Sequence, residues 1–225
     1  NLSKTQGPSK ERIASPGLIL EVTGGIRKPR EYLSWSALSC FEKNPEEYYR
    51  KYILGEEQFI SDAMNFGKKI AEALENQESL DPEMRLLITL IPRCELRETE
   101  IRATYKKITL LAKPDTHNPD FSVFREYKTG RQPWNQKRVD EHGQLIFYAT
   151  TMFLQTKKIP TAYLDWIPTE YNFLFAEDGF LRMKGNLESF KRSDIKLTDI
   201  ALMLNRCEKA SEGIKELWQN NQLKK

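Results

Sequence analysis

Apolar and polar positions along the chain repeat with two different periods, and the change from one to the other divides it into blocks. In YLSWSALSCFEKNPEEYYRKYI, Leu38, Phe41, Tyr48, Tyr49 and Tyr52 recur at helical spacing. Ser34 or Ser36 can cap this stretch and Pro45 breaks or restarts it, so two short helices are predicted. Ala63, Gly67, Ile70, Ala71 and Leu74 repeat at intervals of three and four and predict a helix over about 61–78, with small residues that invite close packing. From Glu95 to Gly130 the period falls to two: Ile101, Ala103 and Tyr105, then Ile108, Leu110 and Ala112, then a run from Phe121 to Lys128 read as successive strands. A longer helix is predicted over about 136–155, followed by strands in AYLDWIP, YNFLFA and FLRMKGNLESF. A last helix carries the stripe Ile200, Met203, Leu204, Cys207, Ala210, Ile214, Leu217 and Trp218, with Thr198 as its candidate cap.

Composition fits a soluble globular domain: of 225 residues, 39% are hydrophobic and 30% charged, and no apolar run approaches the roughly 20 residues that span a bilayer. Residues 1–30, rich in Gly, Pro, Ser and Lys with one short apolar stretch LILEV, read as a flexible leader; residues 31–225 read as a single domain with an α/β core. No signal peptide or membrane segment is read, and a cytoplasmic location is expected. A net charge of +3 does not establish a nucleic-acid partner, so charge placement has to decide. Cys40, Cys94 and Cys207 are far apart, form no CxxC pair, and read as small apolar residues.

The chemistry is concentrated in KPDTHNPDFSVFREYKTG. On a strand Glu126 and Lys128 project to one side and Tyr127 to the other. If THNPD turns the chain back, Asp115 comes beside Glu126 and two carboxylates converge. Such a pair suits Mg2+ or Mn2+, held by one or two carboxylates with waters and phosphate oxygens, while Lys128 orients a water or meets charge developing on a phosphate. Alone, an E-x-K triplet is equally an ordinary surface ion pair.

Order and context add to it. LSWSALSCFEKNPEEYY, FGKKIAEALE, KPD with EYKTG, and GQLIFYA follow one another as do the motifs of the RecB-like PD-(D/E)XK nucleases, and the chain resembles that family, particularly its phage and environmental-bacterial versions, over most of 32–218. The resemblance implies a restriction-endonuclease-like core, a central mixed sheet flanked by helices. It also implies Asp115 and Glu126 as metal ligands, the Tyr127 carbonyl as a further one, Lys128 as the catalytic lysine, and Gln144 with Tyr148 as the Gln-and-Tyr pair that contacts nucleic acid or positions a carboxylate. Two features depart from the family. Its metal-binding His falls at Ala71, leaving Glu72 as the adjacent candidate carboxylate and Glu75, one turn past Ala71 on the same face, as the second choice. The cysteines cannot supply the iron-sulfur cluster of some relatives, since Asn44 stands before Pro45 and only Cys207 lies late.

Lys68, Lys69, Arg131, Lys137 and Arg138 flank the acidic centre, with Trp134 among them, and suit a channel that neutralises a phosphate backbone and stacks on a base. The same residues also suit plain soluble surface. His142 could donate to a phosphate, hold a carboxylate, or be structural; His117, in a turn, reads as surface. The expected activity is a Mg- or Mn-dependent deoxyribonuclease of replication, recombination or repair, with DNA and a replication or recombination protein as partners and no set oligomeric state. Its rivals are a module of the same fold that binds nucleic acid or a partner without turnover, and an acid-base enzyme acting on a small molecule.

Overall fold

In the computed structural model, residues 27–56, 60–172 and 180–222 are described, so the leader reading over 1–26 and the strand reading over 173–176 lie outside the described residues. The first helical block is two helices, as its punctuation requires. Helix α1 (Trp35–Lys43) is capped by Ser34, whose hydroxyl accepts from the Ala37 amide at 3.3 Å. Asn44 ends α1 and caps α2 (Pro45–Tyr48), with Pro45 in the first turn where its missing N–H is harmless. A π-helical turn, Tyr49–Leu54, then runs to Gly55, whose φ of 72° ends it.

Helix α3 (Asp62–Asn76), capped by Ser61, matches the predicted span. Helix α4 (Pro82–Leu90) was not anticipated, although Asp81 caps it through the Glu83 amide at 2.8 Å and Pro82 opens it. The short strand β1 (Tyr32–Ser34) joins β3 (Ile101–Tyr105) and β4 (Ile108–Ala112) in a three-stranded sheet ordered β1-β4-β3. The second sheet carries the candidate chemistry. It comprises β2 (Leu96–Arg97), β5 (Thr116–His117), β6 (Val123–Gly130), β7 (Thr161–Asn172), β8 (Phe180–Met183) and β9 (Glu188–Lys191). Its order is β2-β5-β6-β7-β8, with β9 pairing the first half of β7 and β8 the second.

Strands β6 and β7 are parallel, from Val123↔Thr161 to Gly130↔Pro168, and the crossover between them is helical. The predicted single helix is two: α5 (Gln136–Asp140) and α6 (Gly143–Thr156), separated at Glu141 and His142. At the seam, Gly143 leaves room for the Trp35 ring, into which a Cβ there would run. Two of the predicted strands are one, since β7 continues through Pro168 to Asn172. Phe121 is not in a strand; its φ is 57° and its amide closes a turn on the Asn118 carbonyl at 3.0 Å. The last helix, α7 (Leu197–Gln222), begins before Thr198, so Thr198 lies inside its first turn and is not its cap; the Asp199 carboxylate takes the Lys196 amide instead, at 2.9 Å.

The main core gathers α1, α6, α7 and both sheets around Leu38, Leu110, Phe124, Phe147, Met152, Leu164 and Met203. A second cluster, Ile70, Leu74, Met84, Leu87, Ile91 and Ile167, packs α3 and α4 on the other side. Gly67 lets α3 close on the sheet, its missing Cβ only 3.2 Å from the Thr129 hydroxyl of β6. His117 is 1% exposed, against its surface reading: the turn begins one residue later, at Asn118, and β5 lies between β2 and β6. Its Nδ1 lies 2.8 Å from the Asn118 carbonyl and its ring packs on Phe121. Among the described residues no helix is long and apolar enough to cross a membrane. Cys40 and Cys94 are half-buried and Cys207 is buried, all as free thiols.

Candidate active site

Register, more than sequence distance, assembles this site. Strands β5 and β6 pair Thr116 with Arg125 and His117 with Phe124, so one more step sets Asp115 opposite Glu126. On its other flank, β2 pairs Leu96 with His117 and Arg97 with Thr116, and the ladder continues as the Glu98 amide donates to the Asp115 carbonyl at 3.1 Å. Asp115 therefore stands between two other acids, Glu98 and Glu126, across three neighbouring chain segments. Glu98 holds a left-handed φ of 48°, and its carboxylate is met by Lys113 at 2.7 Å.

The Asp115 carboxylate accepts from the Tyr127 amide. The alternation expected of β6 holds: Glu126 and Lys128 meet at 2.7 Å, while the Tyr127 ring turns toward the second core cluster and its hydroxyl donates to the Pro92 carbonyl at 2.8 Å. Gln144, in the first turn of α6, reaches across to both. Its Oε1 accepts from Lys128 at 2.8 Å, and its Nε2 donates to Glu126 Oε1 at 2.7 Å and to the Tyr148 hydroxyl at 2.8 Å. The i, i+4 spacing of Gln144 and Tyr148 thus puts both on one face of α6. Glu126 is only 5% exposed, and its second oxygen, Oε2, is buried with no hydrogen-bond partner among the described residues.

Electrostatics follow from this burial. Loss of hydration, and then the charge of Glu126, raise the Asp115 carboxyl well above the ordinary range. Burial likewise raises Glu126, against the pull of Lys128. Burial acts to lower Lys128, but contact with Glu126 and the field of Asp115 outweigh it and hold the amine above its usual value. Desolvation and then Glu126 push the Tyr148 phenol upward. At neutral pH Lys128 is consequently a fixed ammonium inside an acidic pocket.

The remaining candidates fall in different places. Ala71 and Glu75 of α3 line a cleft with Glu98, Asp115 and Tyr127, whereas Glu72 faces a separate groove, exposed and 3.8 Å from Lys68. Glu75, one turn beyond Ala71, shares the face that Ala71 presents to Asp115, and Glu72 lies off it. Lys68 points into that outer groove, and Arg131 lies over the Tyr171 ring at 5.0 Å. Trp134 and His142, with ring centroids 5.1 Å apart, line another cleft at the start of α6. Burial, Lys128 and Arg138 lower the His142 imidazole to about 4, so it is neutral at pH 7. Glu98 escaped the sequence reading because only the pairing of a two-residue strand brings it here.

Among the described residues no three His, Cys, Asp or Glu side chains form a ready metal cage. Two carboxylates, one with an unpartnered buried oxygen, are nonetheless what a magnesium ion sharing its shell with water and phosphate requires.

No protein-family model matches the chain, and no curated protein matches it. Among solved structures, the chain is similar to a protein of Eubacterium rectale provisionally termed an exonuclease, at 12% identity and a TM-score of 0.56, covering 84% of this chain and 82% of that one. A looser likeness is to LHK-Exo in complex with dAMP, at 15% identity and a TM-score of 0.44, covering 86% and 93%. The first likeness is one of fold: a mixed sheet flanked by helices, which fits a restriction-endonuclease-like core.

Proposed function

We propose that the chain is a Mg2+- or Mn2+-dependent deoxyribonuclease that hydrolyses phosphodiester bonds at Asp115, Glu126 and Lys128, in replication, recombination or repair of DNA. The observation that carries this reading is the orphaned Glu126 Oε2 beside Asp115, on a carboxylate whose other oxygen, Oε1, is paired to Lys128 and Gln144. Asp115 and Glu126 would hold the ion, with the Tyr127 carbonyl as a further donor. When bound, a divalent cation polarises the phosphate and lowers the pKa of a water.

The chain's own groups supply the rest. Two of the three Lys128 N–H bonds go to Glu126 and Gln144, leaving the third for the attacking water or a phosphate oxygen. Lys128 orients the water and meets negative charge on the phosphate as the water oxygen bonds to phosphorus and gives its proton to solvent, and the ester oxygen departs, taking a proton from solvent. Gln144 locks Lys128 and Glu126 in place, and its bond to the Tyr148 oxygen leaves the phenolic proton for a partner further out. Lys68, Arg131, Trp134 and His142 are candidates for substrate contacts outside this centre.

The test is a split between binding and turnover. Lys128→Met should lose cleavage by a factor of about 100 or more while Mn2+ affinity, read by calorimetry, changes little. Parallel loss of both would make Lys128 only an ion-pair partner. Ala71, standing where the resembled family has a ligand, favours a second reading, a module that binds DNA without turnover. That reading requires DNA binding with no metal-dependent product.

A further inference from the structure

We infer that the cleft between the first turns of α1 and α6 holds an unpaired nucleobase, so that the DNA acted on is single-stranded or frayed beside the scissile phosphate; this rests on the nuclease reading above. The cleft is broad and open to solvent, measures about 400 Å3, and is lined by Trp35, Trp134, Arg138, Glu141, His142, Gly143 and Arg206. It adjoins the catalytic centre. His142 caps α6 two residues before Gln144 and feels the charge of Lys128, and Trp134 stands on the segment leaving the end of β6 that carries Lys128. This is also the carboxyl end of the parallel pair β6–β7, where open α/β sheets bind ligands.

The lining is built for flat groups. Each indole carries a guanidinium: Arg138 lies 4.4 Å from the Trp134 centroid and Arg206 5.6 Å from that of Trp35. Arg206 is clamped by both oxygens of Glu42, at 2.8 and 2.6 Å, so its charge is balanced and it offers a plane more than a phosphate clamp. Glu141 of the lining has Lys137 at 3.9 Å. Trp35 is fixed by the missing Cβ of Gly143 and by Phe147, 6.3 Å away, and both tryptophans rest half-buried on the core. Stacking surfaces accept any base but need its face exposed. Inside a duplex both faces are already stacked, so only an unpaired or frayed nucleotide can enter.

The test uses the whole chain in EDTA, so that no cleavage is read. Oligothymidine and a blunt hairpin duplex of equal nucleotide count are titrated, and tryptophan fluorescence and the anisotropy of labelled DNA are followed. Oligothymidine should bind more tightly than the hairpin and quench fluorescence. Trp134→Ala should weaken oligothymidine binding at least about fivefold, and Trp134→Phe should restore most of it. Equal binding of both DNAs, binding without quenching, or an unchanged Trp134→Ala would overturn the inference. Wild-type quenching keeps the test decisive should Trp134→Ala fold poorly. A chain that passes this test but never cleaves with metal would lose the nuclease reading and keep the base site.

Discussion

Replacing Asp115 with asparagine should stabilise the metal-free protein and abolish cleavage, while replacing it with alanine should not stabilise it as much. Asp115 is desolvated, sits in register between Glu98 and Glu126, and has its pKa raised well above the ordinary carboxylate value. A carboxyl whose pKa is higher folded than unfolded binds its proton more tightly in the native state. Its ionisation therefore weakens the fold as pH rises, and wild-type stability should climb as pH is lowered from neutrality through the native pKa of Asp115. Asparagine removes the charge but keeps an oxygen for the Tyr127 amide; alanine removes both and leaves a buried N–H unsatisfied. That orphan costs about 1–3 kcal/mol, and for a domain of this size each kcal/mol moves Tm by about 2–4 °C. The Asp115→Asn variant should thus melt above the Asp115→Ala variant by roughly 2–12 °C. Scanning calorimetry in EDTA from pH 7.5 to 5 would show Asp115→Asn above wild type at pH 7.5, the gap closing as pH falls. Saturating Mn2+ should raise wild-type Tm and leave Asp115→Asn almost unmoved. If Asp115→Asn melts below wild type in EDTA at pH 7.5, the carboxylate is not strained by its neighbours and the reasoning fails.

Glu75→Gln should raise the metal concentration for half-maximal cleavage by about tenfold or more, as a residue supporting a ligand does, while Glu72→Gln on the outer groove should leave that concentration unchanged in the same titration. Gln144→Leu removes the hydrogen bonds that hold Lys128, Glu126 and the Tyr148 hydroxyl together, and a cleavage assay should show a sharp fall in turnover while the protein stays folded by circular dichroism. His142, with its folded pKa lowered to about 4 by burial, should stay neutral to pH 5 in an NMR titration. Its contribution to stability is full above pH 6.5 and is lost as pH falls, so His142→Phe should blunt that loss in urea melts. Gly143→Ala drives a methyl into Trp35 and should cost about 1–3 kcal/mol in urea melts.

What the sequence disclosed and what it withheld divide along a physical line. Features written in adjacent residues were legible: Ser34, one of two candidate serines, as a cap, Pro45 as a restart, the alternation of Glu126 and Lys128, and the shared face of Gln144 and Tyr148. The fold class followed from the order of such features. Features set by pairing between distant segments were not. Glu98 enters the acidic row through two residues of β2, and His117 is buried because β5 has a neighbour on each side. The break between α5 and α6 falls beside Gly143, where Trp35 packs, a contact that no periodicity records. Glu72 was preferred to Glu75 by adjacency to Ala71, whereas helical geometry places position i+4, not i+1, on the same face. Helix α4 was missed despite a good Asp81-Pro82 start, because its span Leu86–Leu90 is only half apolar toward the core.

The central claim is tested most directly by incubating the wild-type chain and Glu126→Gln with linear duplex, circular duplex and single-stranded DNA, each with Mg2+, with Mn2+ or with EDTA. Products should form only with wild-type protein and only with metal; cleavage in EDTA, equal cleavage by Glu126→Gln, or no product on any DNA with either metal would contradict it.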